Sequence, residues 1–250
     1  VKIPPRHKII AGVHLLNLGS TDLDSELRMA LEIVHPRMVE VVVAPFRFSY
    51  YDLHIPAKAQ TRHQATCDFG ADYVNAVGGA LDLKLYWVMP HFHYLGDSFS
   101  VDVDGGPLDG KNLFELSGFN ADANGRAFAP PIDLAGAKGL RFSCGYDNWQ
   151  DKEIGWGIGD QEMCVMLGLA DSRAIMDLSV QGGSEVVGED GGRLVNEGPC
   201  SVLALPKNEA QTMPDADEVA GALYVPPGDG EDVDLEPTKR CVDSDLEAEP

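Results

Sequence analysis

The chain has 250 residues, with 19 Lys and Arg against 40 Asp and Glu, for a formal charge of −21. So acidic a chain offers no basic face to nucleic acid, and no run of about 18 apolar residues is present to span a membrane. An apolar content of 44% is enough to build a core and excludes wholesale disorder.

Taken in chain order, the sequence is a succession of short apolar bursts. Strand-like runs occupy 8–18, 28–35 and 38–48, and the overlapping segment 23–34 (LDSELRMALEIV) has a helical composition. Further strand-like runs follow at 62–69, 83–95, 99–103, 139–148 and 162–170, with turn clusters DVDGGPLDGKN and SGFNADANG between the later ones. Many short strands separated by Gly, Pro and Asp predict an all-β antiparallel sandwich. Nothing alternates strand with helix in the manner of a doubly wound fold. From Glu209 onward 13 acidic residues face only Lys239 and Arg240. The tail, 206–250, is therefore expected to be solvated or disordered. No charged stretch followed by an apolar one opens the chain, so no signal peptide is visible and Val1 reads as a processed end or the start of a fragment.

The five cysteines, Cys67, Cys144, Cys164, Cys200 and Cys241, contain no C-x-x-C pair, which weighs against a zinc knuckle. An odd number allows at most two internal bridges, and scattered cysteines in a β-rich chain fit an oxidising, secreted or periplasmic setting. Buried free thiols are the other reading.

Histidine carries the strongest chemical signal. All seven lie at or before position 93, and only His91 and His93 are close in sequence. On a strand, residues i and i+2 share a face, so an H-x-H aims two imidazoles at one point and can chelate a metal. A cupin-type site would add a carboxylate, for which Asp97 is spaced correctly, and then another His, which is missing. An H-x-H-x-D zinc site would need Asp where Leu95 stands. Met163, beside Cys164, is core filler in the ordinary reading, but a thioether is also a soft ligand that favours copper.

These segments resemble the copper type II, ascorbate-dependent monooxygenases, the family of peptidylglycine alpha-hydroxylating monooxygenase and dopamine beta-monooxygenase. The likeness rests on His91-Phe92-His93-Tyr94-Leu95-Gly96, on Cys144 followed by a Gly-rich loop and Asp160-Gln161-Glu162-Met163-Cys164, and on Val13-His14-Leu15-Leu16-Asn17 upstream. A weaker match is DLHIPAKAQTRHQATCDF. It extends over roughly residues 8 to 170.

The resemblance implies two jelly-roll-type β-sandwich domains with one copper each. It makes His91, His93 and Met163 the ligands of the copper where O₂ is activated and a substrate C–H bond is hydroxylated. His14 corresponds to a ligand of the other copper, which passes electrons from ascorbate. The adjacent His-His pair of that second site is absent from the chain. Residues 1–50 are thus expected to be the closing part of the first copper domain, either because the chain is a piece of a longer protein or because a shortened protein has lost that copper site; 51–205 would be the C-terminal copper domain. Bridges Cys144–Cys164 and Cys67–Cys200 are likewise implied, with Cys200 preferred to Cys241 because it precedes the acidic tail. The first would close about 20 residues and contribute about 3 kcal/mol.

Two departures bear on substrate. Where the peptide-amidating member has an Arg two residues before the first His and a Tyr four after the Met, this chain has Met89 and Leu167. Peptide amidation is not expected, and the substrate is an unspecified small molecule. Phe92, Tyr94, Trp149 and Trp156 either line an apolar pocket or pack the core. Asp97 or Asp160 could orient a ligand His, or simply serve a turn. The alternative to an enzyme is a non-catalytic copper-binding module.

Overall fold

The computed structural model describes residues 20–22, 24, 26, 28, 30, 36–118 and 125–207. His14, Cys241, most of the 1–50 segment and the acidic tail from 208 lie outside the described residues, as do the expected strands at 8–18 and most of those at 28–35.

The strands are β1 (Ala44–Tyr50), β2 (His54–Ile55), β3 (Ala59–Asp68), β4 (Lys84–His91), β5 (Gly96–Asp104), β6 (Asn112–Ser117), β7 (Arg126–Asp133), β8 (Gly139–Asn148), β9 (Ile154–Gly155), β10 (Val165–Asp171), β11 (Ala174–Val180), β12 (Glu185–Asp190), β13 (Arg193–Glu197) and β14 (Ser201–Pro206). A helix, α1 (Gly70–Val77), follows β3. One six-stranded sheet runs β14-β11-β1-β10-β4-β7, a second runs β12-β13-β3-β8-β5-β6, and β2 pairs with β9 in a small ribbon. The all-β sandwich is therefore present. Most pairings are antiparallel, but β1 with β11 and β3 with β13 are parallel.

Alternation explains why these residues form these strands. In β3, Thr61, His63, Ala65 and Cys67 are buried while their neighbours are less so, the period-2 pattern of a strand with one face on a core. From the first sheet Phe46, Phe48 and Met166 meet Phe142, Phe99 and Val101 of the second. Phe48 lies 4.8 Å from Phe142, ring centre to ring centre. Each disulfide ties one sheet to the other. Cys67 of β3 bonds Cys200, just before β14, and Cys144 of β8 bonds Cys164, just before β10. These are the two bridges expected from the resemblance.

Three elements depart from the sequence expectations. β1 sits between β11 and β10, inside the first sheet, so the sandwich begins by Ala44 rather than at 51. Residues Pro36–Met38 form a short 3-10 turn instead of opening that strand. Helix α1 was not expected: it has no side-chain N-cap and a single buried residue, Tyr73. Tertiary bonds hold it. The Tyr73 hydroxyl donates to Asp82 and accepts from the Arg173 backbone N–H at 3.1 Å.

His63 is a core residue whose chemistry is unusual. It lies between the rings of Tyr50 and Tyr146, at 5.4 and 5.8 Å, and pairs across the ladder with Cys144. Neither ring nitrogen has a hydrogen-bond partner among the described residues. Burial, with a smaller contribution from nearby His54, pushes its pKa down to about 3 from 6.5. The unfolded chain therefore binds one more proton between those values, and stability falls as pH falls below 6.5. Between pH 6.5 and 5 the loss is about 2 kcal/mol. Because other groups titrate in the same range, the readout is a difference: urea unfolding is expected to show the stability of wild type relative to His63→Leu falling by about 2 kcal/mol between pH 7 and pH 5.

Candidate metal centre

The site begins at the C-terminal end of β4. The register of β4 on β10 sets Leu167 opposite Met89 and Val165 opposite His91. Directly opposed residues of an antiparallel pair share a face. Val88 and Met166 are buried in the core, so Met89, His91, Val165 and Leu167 occupy the outward face. Both strands end there, so His93 and Met163 lie just beyond the ladder; Cys164, next to Met163, is buried and bridged to Cys144.

The two histidines do not share one strand, contrary to the sequence expectation. β4 stops at His91, and His93 stands in the turn leading to β5. The two imidazoles come together nonetheless, with ring centres 5.4 Å apart and planes at 81°. A ring nitrogen sits about 2 Å from a bound first-row metal. Two rings on one ion then have centres about 5–6 Å apart, so the observed spacing suits a single ion. Both histidines and Met163 are half-buried.

A strap formed by residues 161–163 holds the turn. The His93 Nδ1–H donates to the Gln161 carbonyl at 2.6 Å. A carbonyl can only accept, so the proton is on Nδ1 and the lone pair of the neutral ring is on Nε2. The Glu162 carboxylate accepts from the backbone N–H groups of His93 and Leu95, both at 2.7 Å. The Met163 carbonyl accepts from the Tyr146 hydroxyl at 2.7 Å. Burial pushes the Glu162 carboxyl up to about 7, against the pull of the backbone N–H groups of Leu95, His93 and Met163, which favour the ionised form. Burial likewise drives the Tyr146 hydroxyl pKa well up, so it stays a proton donor.

Sequence reasoning named His91, His93 and Met163 but missed Gln161, Glu162 and Tyr146. A visible signal was an acidic residue at the head of the apolar run EMCVMLGL, where a core-facing strand has no use for a charge unless something binds it.

Asp97 and Asp160 have other partners. Arg193 grips Asp97 through Nη1 at 3.0 Å and also through Nη2, and the Ser98 hydroxyl adds a third bond. Asp160 pairs with Lys152 and accepts from Gln161 Nε2 at 3.2 Å. Lys152 beside it holds its carboxyl below the usual range.

The aromatic residues divide. Trp156 packs on Tyr51 at 4.5 Å, and Phe92 lies over Gly96, where an added Cβ would meet its ring at 2.0 Å. Tyr94 and Trp149 are 6.3 Å apart, and Gln150 Nε2 donates to the Tyr94 hydroxyl at 2.7 Å. Trp149 is 63% exposed and walls an open cleft of about 460 Å³ with Lys58, Gln150, Asp151 and Lys152.

Among the described residues no three His, Cys, Asp or Glu side chains converge on one point. A third protein donor beside His91 and His93 drawn from the described residues would therefore be of another type. No protein-family model matches the chain, and no curated protein is significantly similar to it. No helix of the described residues is long and apolar enough to cross a membrane.

Tyr146→Phe removes the donor to the Met163 carbonyl and leaves that acceptor buried beside Cys164. It is expected to cost about 1–2 kcal/mol, read as a lower urea midpoint at unchanged slope.

Proposed function

We propose that this chain carries the O₂-activating copper site of a copper-dependent monooxygenase, with His91, His93 and Met163 as ligands. The observation that carries the reading is the pairing of His91 and His93, 5.4 Å apart, with His93 tied through Nδ1 to a carbonyl two residues from Met163. Two imidazoles and a thioether form a soft, incomplete donor set. Such a set suits Cu(I) and leaves a position open for O₂. Copper bound there would supply the one-electron chemistry and the O₂ binding that the protein itself lacks.

The chain's own residues do the rest. Gln161 fixes the His93 tautomer so that Nε2 presents its lone pair. The Cys144–Cys164 bridge anchors the segment just before β10, next to Met163. Met89 and Leu167 face each other one ladder step from His91, and Leu167 is 39% exposed. They give the outward face an apolar character and no cation at these positions, which favours an apolar C–H bond over a substrate held by its carboxylate. Overall, substrate, O₂, two electrons and two protons give the alcohol and water, with an ascorbate-type reductant as the electron source. His14 belongs to the reading as a ligand of the second, electron-passing copper, in a longer protein that supplies the rest of that site.

Two disulfides fit an oxidising compartment, and we place the protein outside the cytoplasm, secreted or periplasmic. A non-catalytic copper module is the second reading, favoured by the lack of adjacent histidines anywhere in the sequence. A cupin-like site using Asp97 is disfavoured by the grip of Arg193 on that carboxylate.

The test is Cu(I) titration with X-ray absorption. The wild type is expected to bind one copper with a sulfur scatterer, Met163→Ala to lose the sulfur and bind about tenfold or more weakly, and Asp97→Ala to keep both. Failure of the folded wild type to take up copper in either redox state would overturn the reading. Copper binding without reductant-driven O₂ consumption, even with the missing domain restored, would favour the module.

A further inference from the structure

Glu162 is wholly buried, yet nothing described so far requires a carboxylate there. A buried carboxylate is costly, and its retention calls for a full set of hydrogen bonds. Glu162 has that set, and its distribution is informative. One oxygen, Oε2, accepts from the N–H of His93 and the other, Oε1, from the N–H of Leu95, each at 2.7 Å. The main chain of Glu162 is itself fixed, its N–H donating to the Gly155 carbonyl and its carbonyl accepting from the Gly157 N–H, both at 3.0 Å. The side chain thus has little freedom, and it spans between two backbone segments that carry different metal-ligand candidates.

We infer that Glu162 is a positioning residue that clamps the His93 turn to the Met163 strand, so that imidazole and thioether are held in one coordination sphere before metal arrives. The inference rests on the copper reading above. His91 is positioned by the β4–β10 ladder, but His93 lies beyond the ladder's end and Met163 lies just before its start. Ladder hydrogen bonds cannot fix their separation. The Glu162 carboxylate takes over that task, because its two oxygens accept from two points of the turn while its own backbone leads directly into Met163. A neutral amide of the same shape fails in this place. Its single oxygen accepts for one side, and its NH₂ group points at a backbone N–H on the other.

Glu162→Gln tests this, with Val103→Ala, a buried β5 residue remote from the turn, as the stability control. Cu(I) affinity and X-ray absorption are measured on wild type and both variants in the full chain. Glu162→Gln is expected to keep the imidazole scatterers, lose or lengthen the sulfur scatterer, and bind copper about tenfold or more weakly; Val103→Ala is expected to retain the wild-type spectrum and affinity. If Glu162→Gln lowers the melting temperature but keeps both spectrum and affinity, its role is merely structural and the inference falls. If instead the wild type shows no sulfur scatterer, or Met163→Ala does not change it, the copper reading itself has failed. Should Glu162→Gln not fold, amide exchange in the copper-free wild type decides. Slow exchange at His93 and Leu95 is expected of a clamp formed before metal binding, and fast exchange at those two positions overturns it.

Discussion

The register of β4 on β10, set across from the Cys144–Cys164 bridge, is the constraint on which the rest of the site depends. Because side chains alternate with a period of two, a slip of β4 by one residue would carry Met89 and His91 to the core face and bring Val88 into water. The core therefore polices the register. The disulfide adds a covalent stop, since Cys164 must point inward to reach Cys144 of the opposite sheet. With Cys164 fixed inward, the backbone just before β10 is held in place, and the residues ahead of it, Gln161 and Glu162, reach His93 through their hydrogen bonds.

Two wholly buried ionisable groups near this bridge, His63 and Glu162, are handled in opposite ways. His63, paired across the ladder with Cys144, has no hydrogen-bond partner among the described residues and is kept neutral by its apolar surroundings. Glu162 is surrounded by backbone donors. The first behaves as an aromatic filler between two tyrosines. The second organises a turn. Burial alone would not distinguish them; the hydrogen-bond count does.

Much of this was legible in the sequence, and the rest was hidden for identifiable reasons. Short apolar bursts between Gly and Asp clusters announced the sandwich, and the order of H-x-H and Asp-Gln-Glu-Met-Cys brought His91, His93 and Met163 to notice. The pairing of Cys67 with Cys200 and of Cys144 with Cys164 came from resemblance rather than from the residues themselves, because spacing cannot choose among connectivities. Helix α1 went unseen because its stability comes from outside the helix, from Asp82 in the following loop and from Arg173 a hundred residues on. The strands after residue 173 were missed because β12 is exposed along its whole length and β11 is a short run without turn signals on both sides. The turn at His93 was missed because the apolar run continues without a break to Leu95; what ends the strand is Glu162 taking the backbone donors that a ladder would otherwise use.

The disulfides also decide how the molecule would come apart. The Cys67–Cys200 bond encloses 133 residues of sequence separation, and within that span lie both histidines of the pair and Met163. A protease cutting once between His93 and Cys144 would divide the chain into one piece holding the imidazoles and another holding the thioether. The two pieces would remain one covalent molecule, joined at Cys67 and Cys200 and still paired along β4 and β10. In a compartment rich in proteases, the donor set would outlast the continuity of the backbone that encodes it.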